Sequence, residues 1–338
     1  MLVNVLEQDV LGHIPENASL LVTFASFEER CTSLSKAIAG NFKGAVIILK
    51  NKPALPETAS NLALLLEIFG DRSTVVDVRI DSPVATIDQF SSSVMPRIAS
   101  SEGSVVVDIT TFTHEHLLIL LFLLKRDGLL HKIVFTYTGA EHYGADHASS
   151  ASETKEVWLS RGVKQIRSVL GFPGELVPSK NLHLIIQVGF ELERAQKIIE
   201  SYEPRRLSLG FAPGFMSVTP ALAETNRKFF DNLSKFVEDT RSSNTIVDHF
   251  EFSCVNPLEA KNSLLEQVNK RSDFNTIICP LNTKISTIGA ALLAFECPSV
   301  QLCYAEPSIY NAENYSKPGR NIRVFDYLAL GTEFLEIA

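Results

Sequence analysis

The motifs that usually announce a reaction are missing from this chain. No GxGxxG follows an apolar run, so a dinucleotide of the NAD type is not expected. There is no GxxxxGK[ST] phosphate loop, no GxSxG nucleophile elbow and no zinc-finger spacing. Cysteines are few and odd in number (Cys31, Cys254, Cys279, Cys297, Cys303), and none forms CxxC. Buried free thiols in a reducing compartment are therefore expected rather than a disulfide framework. Basic residues do not dominate: Lys plus Arg is 31 against 39 Asp plus Glu, a formal charge of −8. Such a balance argues against wrapping duplex nucleic acid, though not against a local basic pocket for one small anion. The densest apolar run, Leu117–Leu124, falls far short of the ~20 residues of a membrane span and reads as a buried helix. The N-terminus lacks the basic and apolar regions of a signal peptide, so a cytoplasmic protein that does not engage membranes is expected.

What the chain does contain is one pattern written twice. Ser19–Arg30 (SLLVTFASFEER) and Asn181–Arg194 (NLHLIIQVGFELER) are each an apolar run, a small residue, Phe-Glu, then Glu-Arg. Ser104–Thr113 (SVVVDITTFT) is echoed by Asn275–Thr287 (NTIICPLNTKIST). Tyr137 and Tyr143 are echoed, with the same six-residue step, by Tyr304 and Tyr310.

The 338 residues suit two domains of about 150 each. In the first half, β-branched apolar runs at Leu20–Phe24, Ala45–Leu49, Thr74–Ile80, Val105–Ile109 and Ile133–Tyr137 alternate with helical patterns. A capping box, Ser26-x-x-Glu29, predicts a helix starting at Ser26. The second half repeats the alternation from Leu184 to Tyr304. Strand–helix alternation of this kind predicts an α/β protein: two tandem Rossmann-like, doubly wound parallel sheets related by duplication. The expected boundaries are a first domain at 1–145, a linker at 146–180 with some order of its own, and a second domain at 181–338. Packing of the halves about a pseudo-two-fold axis, as a pseudo-dimer, is expected from the duplication.

Ligands of such sheets sit outside the carboxyl ends of the strands, where all the echoed polar residues fall. Arg30 and Arg194 stand at the first strand-to-helix turn, where each can fork two oxygens of a phosphate or carboxylate; the alternative is a simple pair with Glu28 or Glu191. Thr110, Thr111 and Thr113 in one half, and Asn282, Thr283 and Lys284 in the other, bunch hydroxyls, an amide and a charge ahead of a helix. They suit a ligand or serve as caps and turns. Tyr143 and Tyr310 are placed to cover a ligand or to pack an edge. Asp108 is matched by Pro280 and has no acidic counterpart. With His114 or His116 it is the candidate acid–base pair if the chain is an enzyme. His114-Glu-His116 does not predict a metal site, because positions two apart on a helix face different ways. No metal or cofactor is predicted. Arg161 and Arg167 are expected to be solvated.

With its polar turn after the first strand and the hydroxyl- or Lys-bearing turns Thr110-Thr111 and Asn282-Thr283-Lys284 after the fourth, each half resembles the Rossmann-like ligand-sensing domains typified by the CARF domain of prokaryotic immunity. The resemblance implies a two-fold arrangement holding a cyclic oligonucleotide, and a role in antiviral defence. No appended effector domain is evident, which implies an effector or other protein partner encoded separately. Three readings follow: a cytosolic sensor of a small nucleotide-like anion, an enzyme cleaving a phosphodiester or glycosidic bond of a nucleotide or nucleoside, and a non-catalytic interaction scaffold.

Overall fold

The computed structural model describes residues 2–144, 158–270, 272–312 and 315–327. The chain divides into two compact units, residues 1–142 with 316–338, and residues 143–315. The first unit runs β1 (Leu2–Leu6), β2 (Leu20–Ala25), α1 (Ser33–Ile38), β3 (Ala45–Lys52), α2 (Thr58–Phe69) and β4 (Ser73–Arg79). It continues through α3 (Pro83–Gln89), α4 (Met95–Ser100), β5 (Val105–Asp108), α5 (His114–Arg126) and β6 (Ile133–Tyr143). The second runs β7 (Ser160–Pro173), β8 (Leu182–Gln187), α6 (Leu192–Tyr202), β9 (Arg206–Phe211), α7 (Pro220–Thr240) and β10 (Ile246–Glu251). It ends with α8 (Pro257–Asn269), β11 (Asn275–Pro280), α9 (Lys284–Glu296) and β12 (Gln301–Tyr310). β13 (Ser316–Asp326) returns to the first unit.

The parallel strands of the first sheet lie in the order β4-β3-β2-β5-β6, and those of the second in the order β10-β9-β8-β11-β12. Numbered within each unit, both read 3-2-1-4-5, the doubly wound order. Both are Rossmann-like α/β sheets. Helices cover both faces because the central strands carry apolar side chains on both sides; β2 (LLVTFA) is buried at every position. On one face of the first sheet Leu21, Ile48 and Val106 pack against Leu34, Ile38, Leu65 and Phe69 of α1 and α2. Leu184, Ile186 and Ile277 meet Ile198, Phe230 and Leu233 of α6 and α7 in the matching place. Helix starts follow local chemistry. Thr113 caps α5 by accepting from the His116 N–H at 3.0 Å, and Thr283 caps α9 through the Ser286 N–H at 3.2 Å.

Three expectations need correction. The expected linker contains β7, which pairs antiparallel with β12 and completes the second sheet; its Val163 and Ile166 pack on that unit's core, which is why it is apolar. The Ser/Ala/Glu-rich stretch 148–156 lies outside the described residues. The second domain does not extend to the C-terminus: β13 joins the first sheet beside β6, bonded through the Tyr327 N–H to the Ile133 carbonyl, and brings β1 with it as an antiparallel edge. Each sheet thus gains its antiparallel strand from the segment that follows the other sheet's fifth strand. Finally, Ser26 does not open a helix. Its hydroxyl accepts from the Glu28 N–H, a 3-10 turn begins at Glu29, and α1 starts at Ser33.

The structure adds an echo. Thr-Val-Val-Asp77 on β4 and Thr-Ile-Val-Asp248 on β10 both place an aspartate on the third strand, paired with a cation of the second strand: Lys50 with Asp77 at 2.6 Å, and Arg206 with Asp248.

Candidate functional site

In the second unit, the helix that follows the first parallel strand starts at Leu192, and this brings Arg194 back over the sheet. The side chain is 4% exposed, beside Glu191 at 7%. Glu191 takes only Nη1 of the guanidinium, and its other oxygen is held by the Ser160 hydroxyl at 2.6 Å. Nε and Nη2 are buried with no hydrogen-bond partner among the described residues. These two nitrogens form the edge of a guanidinium that grips two oxygens at once. The chain uses that edge elsewhere: Arg79 and Arg126 each present Nε and Nη2 to both oxygens of a neighbouring aspartate, at 2.7–3.0 Å. The Arg194 guanidinium lies 5.3 Å from the centre of the Tyr304 ring. Burial works against its charge, but Glu191 and the oxygens of Tyr304, Tyr310 and Tyr315 hold its pKa above the usual value.

Aromatic rings cluster in the same unit. Tyr143 lies 5.0 Å from Phe190 and 6.3 Å from Tyr315, and Tyr315 lies 6.1 Å from Tyr310. Burial raises the Tyr310 phenol well above its ordinary pKa. Arg167 is not solvated as expected. It pairs with the buried Glu306 at 2.5 Å and lies 5.5 Å from the Tyr304 ring centre, because β7 is a strand of this sheet rather than a tether. Arg161 lies against Trp158, 4.7 Å from its ring centre.

The equivalent arginine of the first unit is engaged differently. Arg30 Nε and Nη2 both donate to the same Glu28 oxygen, at 3.1 and 2.5 Å. Nε also reaches Ser316 at 3.0 Å, and Nη1 reaches the Thr138 carbonyl at 3.1 Å. The gripping edge is therefore occupied by Glu28.

Asp108 stands near Arg30, fully buried. One of its oxygens accepts from the Thr110 N–H and hydroxyl; the other has no partner among the described residues. Burial pushes its pKa up to about 6, against the pull of Thr110, Arg30 and Thr136. Its counterpart in the second unit is Cys279 rather than Pro280. Leu21 and Leu184 hold matching places in the two cores, Asp108 is one residue past the Val107–Val22 pair, and Cys279 is one past Ile278–Ile185. The polar row Thr23, Asp108, Thr136 of the first sheet is matched by Ile186, Cys279, Cys303 in the second. One residue fewer separates Cys279 from its helix cap, which misaligned the sequence echo.

Most of the clustered hydroxyls and amides are taken up by backbone groups, of their own helix starts or of neighbouring strand ends and loops. Thr110 bridges Asp108 and the Thr138 N–H, Thr111 donates to the Phe24 carbonyl at 2.7 Å, and Thr113 caps α5. Asn282 donates to the Val188 carbonyl at 2.6 Å and accepts from the Cys254 thiol; Thr283 caps α9 and donates to the Cys254 carbonyl. Gly189 is required where these turns meet, since a Cβ there would come within 1.8 Å of the Leu281 carbonyl oxygen. Lys284 opens α9, half-buried. His114 and His116 are buried, and the His116 ring stacks on Phe24 at 5.5 Å with Phe90 edge-on, the surroundings of a core side chain.

Gln187 escaped the sequence reading. It is fully buried at the end of β8, with neither amide atom partnered among the described residues. A carboxamide closing the apolar run LHLIIQ was the available signal. Among the described residues no group of three or more His, Cys, Asp or Glu is gathered to hold a metal ion, and no helix is long and apolar enough to cross a membrane.

No protein-family model matches this chain, and no curated protein matches it. Among solved structures, it is similar to a type III CRISPR defence DNA nuclease activated by cyclic oligoadenylate, at TM-score 0.48 and 8% identity, over 82% of this chain. It spans only 64% of that nuclease's length. It is also similar to a functionally unknown protein of Pseudomonas aeruginosa PAO1 (TM-score 0.23, 11% identity, 86% of this chain and 94% of the other). A third similarity is to the cytoplasmic domain of a prokaryotic cation chloride cotransporter (TM-score 0.26, 12% identity, 88% and 98%). Likenesses at these TM-scores carry no argument about what the chain binds.

Proposed function

We propose that this protein is a sensor or regulatory protein for a small nucleotide-like anion, held in its second unit at the carboxyl ends of the parallel strands. One observation carries the reading: the Nε–Nη2 edge of Arg194 is buried, charged and unpartnered among the described residues. An unsatisfied buried donor costs roughly 1–3 kcal/mol, more when charged, and two oxygens of one phosphate or carboxylate relieve both donors together. Tyr143, Tyr304, Tyr310 and Tyr315 supply ring faces for a base or sugar beside that anion. The turn at Asn282–Thr283 shapes the rim, and Arg30, its edge occupied by Glu28, belongs to a half that does not take the ligand, as does the turn at Thr110–Thr113. The setting we propose is the one the sequence resemblance implies, a cytosolic regulator of a separately encoded effector in prokaryotic defence.

Melting curves with linear and cyclic mono- and oligonucleotides test this, with the products analysed afterwards. A sensor gains thermal stability from one ligand class by mass action and leaves it intact. Turnover of the ligand would instead support the enzyme reading, with Asp108 as the first residue to replace. Indifference to every nucleotide would leave the scaffold.

A further inference from the structure

β4 is the terminal strand of the first sheet, hydrogen-bonded to β3 alone among the described strands. A groove of about 690 Å³ runs along it. Four consecutive residues, Thr74–Asp77, line one wall, and Gln89, Ser93 and Arg97, from α3 through α4, line the other. In a strand, neighbouring side chains point to opposite faces. A wall made of four in succession is therefore the edge of the strand, with its outward amide and carbonyl groups, and not one face of the sheet. The strand (STVVDVR) has no proline, lysine or bulge to discourage pairing, and Val75 is 36% exposed. The far wall includes a π-helical turn at Phe90–Val94. That turn supplies Ser93, whose hydroxyl accepts from Gln89 at 2.8 Å.

The charge of the groove is specific. Lys50 and Lys52 flank Asp77 at 2.6 and 3.2 Å, and Arg97 has no ion-pair partner among the described residues. Of these Lys50, Asp77 and Arg97 line the groove, two cations to one anion in a chain that is net acidic.

We propose that this edge takes an extended acidic segment of a partner protein, added to the first sheet as a further strand beside β4. Ladder bonds to Thr74–Asp77 would span about 13 Å, four residues at 3.3 Å each, and acidic side chains would meet Arg97 and Lys50. The occupant is a peptide rather than a free anion because the wall offers backbone pairing groups along its length.

Fluorescence anisotropy on the whole chain tests this, with a labelled, capped hexapeptide of alternating Glu and Val. Two further forms carry N-methyl groups, one on the amides of each edge of the peptide. The acidic peptide should bind saturably and its Lys-Val analogue should not. One methylated form should lose at least tenfold in affinity while the other binds as the parent does. R97E should weaken binding at least tenfold with an unchanged melting temperature. Equal binding of both methylated forms, displacement by inorganic polyphosphate with no effect of methylation, or no binding at millimolar peptide would each overturn the proposal. None of these outcomes touches Arg194, so the nucleotide reading stands or falls separately.

Discussion

Arg194→Lys separates a charge from a grip. Lysine keeps a positive end near Glu191 but replaces a planar two-donor edge with a point charge. If a phosphate occupies Nε and Nη2, wild type makes two charge-assisted bonds, each about 1.5–3 kcal/mol, and the variant keeps at most one. A loss of about 2 kcal/mol is about 30-fold in Kd at 1.4 kcal/mol per decade. A larger truncation would confuse the result. Arg194 and Glu191 are 4% and 7% exposed, and leaving one partner of such a pair costs about 3–5 kcal/mol of stability. The lysine variant avoids that cost. Arg30→Lys is the control, because its equivalent edge already holds Glu28. The assay is calorimetric titration with the nucleotide giving the largest melting shift, at fixed ionic strength because exposed contributions are screened. Arg194→Lys should weaken binding about 30-fold and Arg30→Lys should leave it within twofold. Equal affinity of Arg194→Lys and wild type would refute the reasoning.

Other consequences concern the frame around the site. Burial lifts Asp108 from 3.8 to about 6. Between those values the native state keeps a proton the unfolded chain has released, so stability should fall as pH rises from about 4 to 6 and then level off. The span is about 3 kcal/mol. Asp108→Asn, which keeps the acceptor for Thr110, should flatten that slope and raise stability at pH 7–8 in urea melts; an unchanged slope would show that Asp108 is not its source. A chain ending at Tyr315 loses β13, with buried Ile322, Val324 and Phe325, and with it the only described strand that pairs β1. Amide exchange should then show protection lost across the first sheet and retained in β8–β12. Native-state thiol titration should find Cys297 reactive and Cys31, Cys254, Cys279 and Cys303 silent until unfolding, since those four are buried and burial pushes Cys31 to about 12.

The architecture was legible because its signals are local. Apolar runs such as LLVTF and LHLII become central strands, and Thr-Pro220 and Asn-Pro257 become capped helix starts. The strands that escaped notice, β1, β7 and β13, lie at sheet margins. There one face is exposed, and charged residues such as Arg161, Lys164 and Arg167 interrupt the pattern. Their partners are distant in sequence, and pairing at that range leaves no local mark. The site was less legible for a related reason. Thr, Asn and Ser after a strand read alike whether they face a ligand or close a turn, and at Thr111 and Asn282 the carbonyls of Phe24 and Val188 decided the matter. Arg30 and Arg194 look equivalent as letters, and only the position of each glutamate distinguishes them.

That position traces to one residue. Phe27-Glu-Glu-Arg30 sets Glu28 two before its arginine; Phe190-Glu-Leu-Glu-Arg194 sets Glu191 three before. Two apart, with the 3-10 turn beginning at Glu29, Glu28 lies along Nε and Nη2. Three apart, with Glu191 just ahead of α6, the carboxylate meets Nη1 and leaves the other edge open. If the extra residue is what makes the second unit receptive, removing the occupant from the first should create a second site. Glu28→Ala leaves Arg30 buried with its carboxylate gone, at a cost of about 3–5 kcal/mol. A ligand that takes the place of Glu28 on that edge, displacing the Ser316 hydroxyl from Nε, returns about 2.7 kcal/mol at a hundred times its Kd. The variant should therefore melt lower than wild type, recover much of the difference in saturating nucleotide, and titrate with two ligands per chain instead of one. A variant that melts lower, binds one ligand and gains no more from it than wild type would show that the glutamate's position does not distinguish the two halves.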